Sequence, residues 1–290
     1  MVLEALVGPK GAENKTWFMF FIGFLYATAA IFLSIWVFKD EASIVMILLT
    51  VIAALPLTYR TFSLEEKKDA LFDHELPLLR EHWKALRFLM FMFIGFVFAF
   101  SLWFVVMPGT LVQDVFDTQL NTIGAINTQV SGRAIDVTSS ASQQSGFFMQ
   151  IFANNIKVLL FCLFFSFFYG AGAIFILAWN ASVIGAAVGT FIRNNLGLIA
   201  NQVGLIKVGG YMHIFSLGLL RYLTHGIPEI LAYFIGGLAG GLISVAVIKH
   251  NSSPHEFKRV MLDALDLVLL GVLVLFIAGV VEVYVTPALF

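Results

Sequence analysis

Charge is what this sequence has least of. Of 290 residues only 12% are Asp, Glu, Lys or Arg, against 60% hydrophobic, and the formal net charge is −1. A soluble domain carries about 25% charged residues. A near-neutral chain also lacks the basic footprint that nucleic acid requires, so no nucleic-acid partner is expected. Cysteine is almost absent. Cys162 stands alone inside an apolar run, so no internal disulfide forms and the redox compartment cannot be read from it. Reaction signatures are missing as well. The chain has no Gly-x-x-x-x-Gly-Lys-Ser/Thr loop, no His-Glu-x-x-His and no Gly-x-Ser-x-Gly. His225 and Glu229 have metal-ligand spacing, but catalytic zinc takes three protein ligands and an open position, and the nearest further histidine is His213, twelve positions upstream. No metal or cofactor is expected, and the chain is not expected to be an enzyme.

What is present is apolar sequence in long runs, with 31 Phe among it. The predicted class is all-α, a polytopic transmembrane helical bundle of about seven crossings, one of them broken or partly re-entrant. Trp17 to Phe38 is long enough to span. It is followed at once by a second apolar run, so it reads as a retained helix and not as a cleaved signal. Lys39-Asp40-Glu41 is a polar turn, and Ser43 to Tyr59 returns across the membrane. Residues 1–59 thus form a hairpin.

Residues 60–87 collect Arg60, Lys67, Lys68, Arg80, Lys84 and Arg87. The positive-inside rule places this linker, and the N-terminus with it, in the cytoplasm. Ser63-Leu64-Glu65-Glu66 fits a capping box. Leu64, Leu71, Phe72, Leu76, Leu79 and Trp83 then recur at roughly helical spacing, which predicts an interfacial helix beneath the bundle or a docking site for a soluble partner.

Residues 88–290 hold five further crossings. Phe88 to Met107 is the first of them, ended by Pro108-Gly109. The outer loop 108–146 contains a helical stripe of Val112, Val115, Phe116, Leu120, Ile123, Ile126 and Val130, which predicts an amphipathic helix on the outer surface. A Ser/Gln-rich linker follows at 138–145. Phe147 to Ala178 crosses next, with Trp179-Asn180 at its inner end. Residues 181–224 are expected to cross as a broken helix, interrupted at Arg193-Asn194-Asn195 and at Gly209-Gly210. His225 to Ile248 and Val260 to Tyr284 complete seven crossings, with the C-terminus outside.

The stretch His225 to Gly241, HGIPEILAYFIGGLAGG, carries the candidate site. His225 and Glu229 share a helix face. Glu229 lies roughly 25 positions before the midpoint of the last loop and Glu282 roughly 28 after it, so the two carboxyl groups are expected at one depth on neighbouring antiparallel helices. Asn155 and Lys157 fall near the same level. His225, Glu229, Glu282 and Asn155 are therefore the candidate polar cluster. It reads as interhelical glue, as a proton or ion site in a transport path, or as a metal site. Behind it, Gly236/Gly240 and Gly237/Gly241 form two interleaved Gly-x-x-x-Gly pairs, suited to close packing inside the bundle or between protomers. Gly170 and Gly172 supply small residues on the fourth crossing.

Together these features resemble the stage II sporulation protein M family over roughly residues 87–287: Asn154-Asn155 opening a span, Gly170 and Gly172 within it, Asn180 followed by Gly185 and Gly189, then His225, Gly226 and Glu229 with glycines behind them, and Glu282 ahead of Thr286-Pro287. Asn180-Ala181 stands where that family commonly has Asn-Gly. The first two spans look like an extension on a five-span core. The sporulation member is a membrane anchor complexed with cell-wall-degrading enzymes, so the resemblance implies a membrane scaffold or complex subunit in the cell membrane. It does not extend the sporulation role to this chain, and it establishes no catalytic residue. The expected partners are the lipid bilayer, other membrane or cell-envelope proteins, and further copies of the chain. The alternative is a transporter or channel for an ion or small solute.

Overall fold

In a bilayer the backbone must satisfy its own hydrogen bonds, and an apolar helix does so without help from neighbours. The computed structural model describes residues 16–71, 75–134, 141–166, 171–195, 204–248 and 254–285, and every long element among them is helical. In chain order they are α1 (Phe18–Val37), α2 (Ala42–Leu71), α3 (Glu75–Val106), α4 (Gly109–Ala134), α5 (Ala141–Ser166), α6 (Ala171–Asn195), α7 (Gly204–Ile248) and α8 (Pro254–Val280). A π-helical turn, Val281–Val285, continues α8. Seven of these helices are long and apolar enough to cross a membrane, all except α4. The all-α transmembrane bundle read from the sequence is the architecture found.

Three local expectations need correction. First, residues 60–87 do not form a separate interfacial helix. α2 runs unbroken through Ser63–Glu66 to Leu71, and α3 starts at Glu75. No Gly or Pro stands between Pro56 and Pro77 to stop a helix, and Leu, Glu, Lys and Ala propagate one. The capping-box sequence therefore lies inside α2. Residues 72–74 lie outside the described residues.

Second, no break occurs at Gly209-Gly210. α7 is one rod of 45 residues, about 67 Å long, which joins the amphipathic stretch to the span. Two helical glycines cost only about 1 kcal/mol each, which neighbouring turns outweigh.

Third, Trp179-Asn180 does not end a crossing. It lies within α6, where the Asn180 side-chain amide donates to the Ile176 carbonyl at 2.8 Å and is satisfied inside its own helix. α5 has already ended at Ser166. The linker at 138–145 falls partly outside the described residues, as do Gly170 and Lys249.

Close backbone approach holds the first half of the bundle. A Cβ on Gly23 would lie 2.4 Å from the Met92 carbonyl oxygen, and one on Gly95 would lie 2.2 Å from that of Phe20. α1 and α3 therefore touch backbone to backbone, the geometry that small residues permit in lipid. Gly185 and Gly189 seat α6 on Phe100 and Phe104 of α3 in the same way. Phe88, Phe93, Phe96 and Phe100 fill the centre.

α4 caps this bundle. Its stripe is buried at Val112, Val115 and Phe116, and the Phe116 ring meets Phe104 edge-on at 5.0 Å. A non-helical backbone at Phe116 (φ −118°, ψ 18°) kinks the helix there. Gln119, fully buried, donates through Nε2 to the Ser43 carbonyl at 3.3 Å and to Ser182 Oγ at 3.2 Å. It ties α4 to α2 and α6.

Candidate polar site between three spans

α5, α7 and α8 pack against one another, and their polar side chains meet at one level. The Asn155 amide Nδ2 donates to Glu229 Oε1 at 2.5 Å. The Tyr233 hydroxyl donates to Asn155 Oδ1 at 3.0 Å. The Glu282 carboxyl lies beside that of Glu229. Asn155 uses both ends of its amide and is buried, while Glu229 and Glu282 are half-buried. Glu282 stands in the π-helical turn, a local widening of the helix that recurs at functional sites.

Asn155, Glu229 and Glu282 thus come together. The side chain of His225 lies outside the described residues. Lys157 does not join them. Two residues beyond Asn155 is about 200° round a helix, and Lys157 points outward, exposed.

One turn beneath the cluster an apolar side chain fills the seam. Leu159, one turn beyond Asn155, fills the notch at Gly236, where its Cδ1 lies 2.4 Å from the position of a Cβ. The same Cδ1 lies 3.5 Å from a Cβ position on Gly271 of α8. Gly240 meets the Leu163 carbonyl oxygen, Gly241 meets the Phe62 ring, and Gly172 sits on Phe165 and Ser166. Gly237 is buried. The contacts of Gly236, Gly240 and Gly241 are made inside the chain.

Spacing arguments missed several polar contacts. Tyr233 could have been found, since it stands four residues after Glu229 on the same face. Arg193 is a helix cap. Its Nη2 donates to the Met107 carbonyl and, at 3.3 Å, to that of Val105, at the C-terminal end of α3, and the guanidinium lies 5.4 Å from the Phe104 ring centre. A cation at that end also suits the helix dipole. At the opposite end of the bundle His82 Nδ1 lies 3.1 Å from Glu65 Oε2, both buried, joining α2 to α3. No local pattern in the sequence marks either pair.

The fold and the buried polar seam define a polytopic helical membrane protein. The family described as Stage II sporulation protein M matches residues 85–287, and the chain belongs to that family. The match begins within α3, so the α1–α2 hairpin lies outside it. No curated protein and no solved structure matches the chain.

Proposed function

We propose that this protein is a membrane-embedded structural subunit, a scaffold that holds other membrane or cell-envelope proteins, with no reaction of its own. The observation that carries this reading is Leu159. It lies one turn below the polar cluster, wedged at Gly236 and Gly271, and an apolar side chain at that place supports a structural role for the cluster over a polar path. Asn155, Glu229, Tyr233 and Glu282 then act as glue between three helices. In this reading the basic residues of 60–87 lie in the cytoplasm of a cell-membrane protein and the C-terminus lies outside.

A second reading is favoured by the carboxyl pair itself. Ionisable side chains at membrane depth mark ion and proton paths by default. Flux separates the two. The purified full-length protein, reconstituted in vesicles carrying a pH or cation gradient, is expected to leave the gradient intact. Dissipation that disappears in Glu229→Gln would establish the transporter and end the scaffold reading. Orientation is tested by labelling from outside: Asp114→Cys should react and Ser63→Cys should not.

A further inference from the structure

We propose that the outer face formed by α5 and α8 is a self-association surface, on which Lys157 of one copy engages the Glu229–Glu282 carboxyl pair of a second copy. Charge is out of balance at one depth among the described residues. Lys157 lies within the span Ser145–Ser166 and is exposed, and it makes no ion pair among the described residues. Glu229 and Glu282 have no Lys, Arg or His counter-charge among the described residues either. Asn155 fixes the level of Glu229 by a hydrogen bond, and Lys157 stands two residues further along α5, about 3 Å along the axis. Cation and carboxyl pair therefore share a depth in the membrane, but Lys157 points out of the chain that holds the pair. Charges at such depths are found paired with one another or with backbone.

The surface around Lys157 has the shape for a partner helix. Among the described residues α5 is the least buried of the seven spans and α7 the most. Below Lys157 its exposed face becomes apolar, and an open groove lined by Leu160, Leu163 and Ile243 runs between α5 and α7. α8 lies beside α5, where Phe276 packs on Phe148 at 5.2 Å. Its outer face is apolar too, with Leu269 and Leu273 exposed beneath Glu282. A two-fold axis along the membrane normal keeps every residue at its depth. Because α5 and α8 are neighbours, such an axis sets α5 of each copy against α8 of the other, so both Lys157–Glu282 contacts form at once. That is an isologous interface.

This inference does not depend on the scaffold reading, because flux and self-association are measured separately. The full-length protein in lipid vesicles, labelled once per chain, should bleach in two steps at protein densities where a membrane protein without affinity for itself bleaches in one. Lys157→Met removes a side chain that makes no described contact, so its thermal stability should match the wild type while association weakens at least tenfold. Lys157→Glu should be monomeric, and the exchange Lys157→Glu with Glu282→Lys should restore the dimer. Should the exchanged chain not fold, Leu160→Cys and Leu273→Cys in one chain provide the second test, with a cross-link expected between copies. A wild-type protein that is monomeric in lipid would overturn the proposal, Lys157 then reaching the headgroups. A dimer that survives Lys157→Met would overturn it as well.

Discussion

The α1–α3 seam and the α5–α7–α8 seam join helices in opposite ways. In the first, Gly23 and Gly95 let two backbones meet, and the Trp103 indole adds a hydrogen bond to Thr28 Oγ1 at 3.1 Å. In the second, a tyrosine, an asparagine and two glutamates bond across three helices, with Leu159 closing the space beneath. The first is closed chiefly by shape, with Gly23 and Gly95 against backbone. The second retains polar capacity at an exposed edge of the bundle, because Glu229 and Glu282 are only half-buried. Shape-closed contacts suit a permanent core. A polar seam at an edge is where assembly or chemistry has room to act.

Substitutions in the glycine seam should therefore have the largest effect. Gly95→Leu puts a branched side chain where even a Cβ has 2.2 Å to a carbonyl oxygen. Overpacking against backbone cannot be relieved by a rotamer change, and a loss of about 3 kcal/mol or more is expected. The readout is the yield of monodisperse protein in detergent, which should collapse. A folded Gly95→Leu protein with a normal melting temperature would show that α1 and α3 do not touch there.

The buried His82–Glu65 pair comes next. His82→Leu removes a partner of a fully buried carboxyl group and should cost roughly 3 kcal/mol in thermal or denaturant unfolding. Arg193→Met removes the charged cap on α3 and its contact with Phe104, with an expected loss of about 2 kcal/mol. Gln119→Leu removes two neutral hydrogen bonds that hold α4 and should cost about 1 kcal/mol. If Gln119→Leu proved as damaging as Gly95→Leu, polar contacts and not shape would dominate the first half of the bundle as well.

The number and class of the crossings were legible because hydropathy in lipid is a local property. The common depth of Glu229 and Glu282 was legible for a related reason. One short loop joins their helices, so counting residues from it fixes relative height. The continuity of α2 and of α7 was not. A capping-box sequence and a glycine pair bias a helix end by about 1 kcal/mol, and flanking residues that favour helix override so small a bias. Arg193 read as an interruption because the carbonyls it caps, those of Val105 and Met107, are more than eighty residues away. The His82–Glu65 pair was hidden by the same kind of distance: the two residues stand on separate helices that pack only in the folded bundle.

In the scaffold reading the polar seam joins helices and does not conduct. A double-mutant cycle on Asn155 and Glu229 tests it most directly: Asn155→Leu, Glu229→Gln and the double variant, each measured for unfolding free energy in one detergent. Structural coupling across a membrane interface of this kind is about 0.5–1.5 kcal/mol. The double variant should be less destabilised than the sum of the singles by that amount, and no variant should alter a pH gradient across reconstituted vesicles. Strictly additive losses, together with a gradient that collapses only when Glu229 is intact, would contradict it.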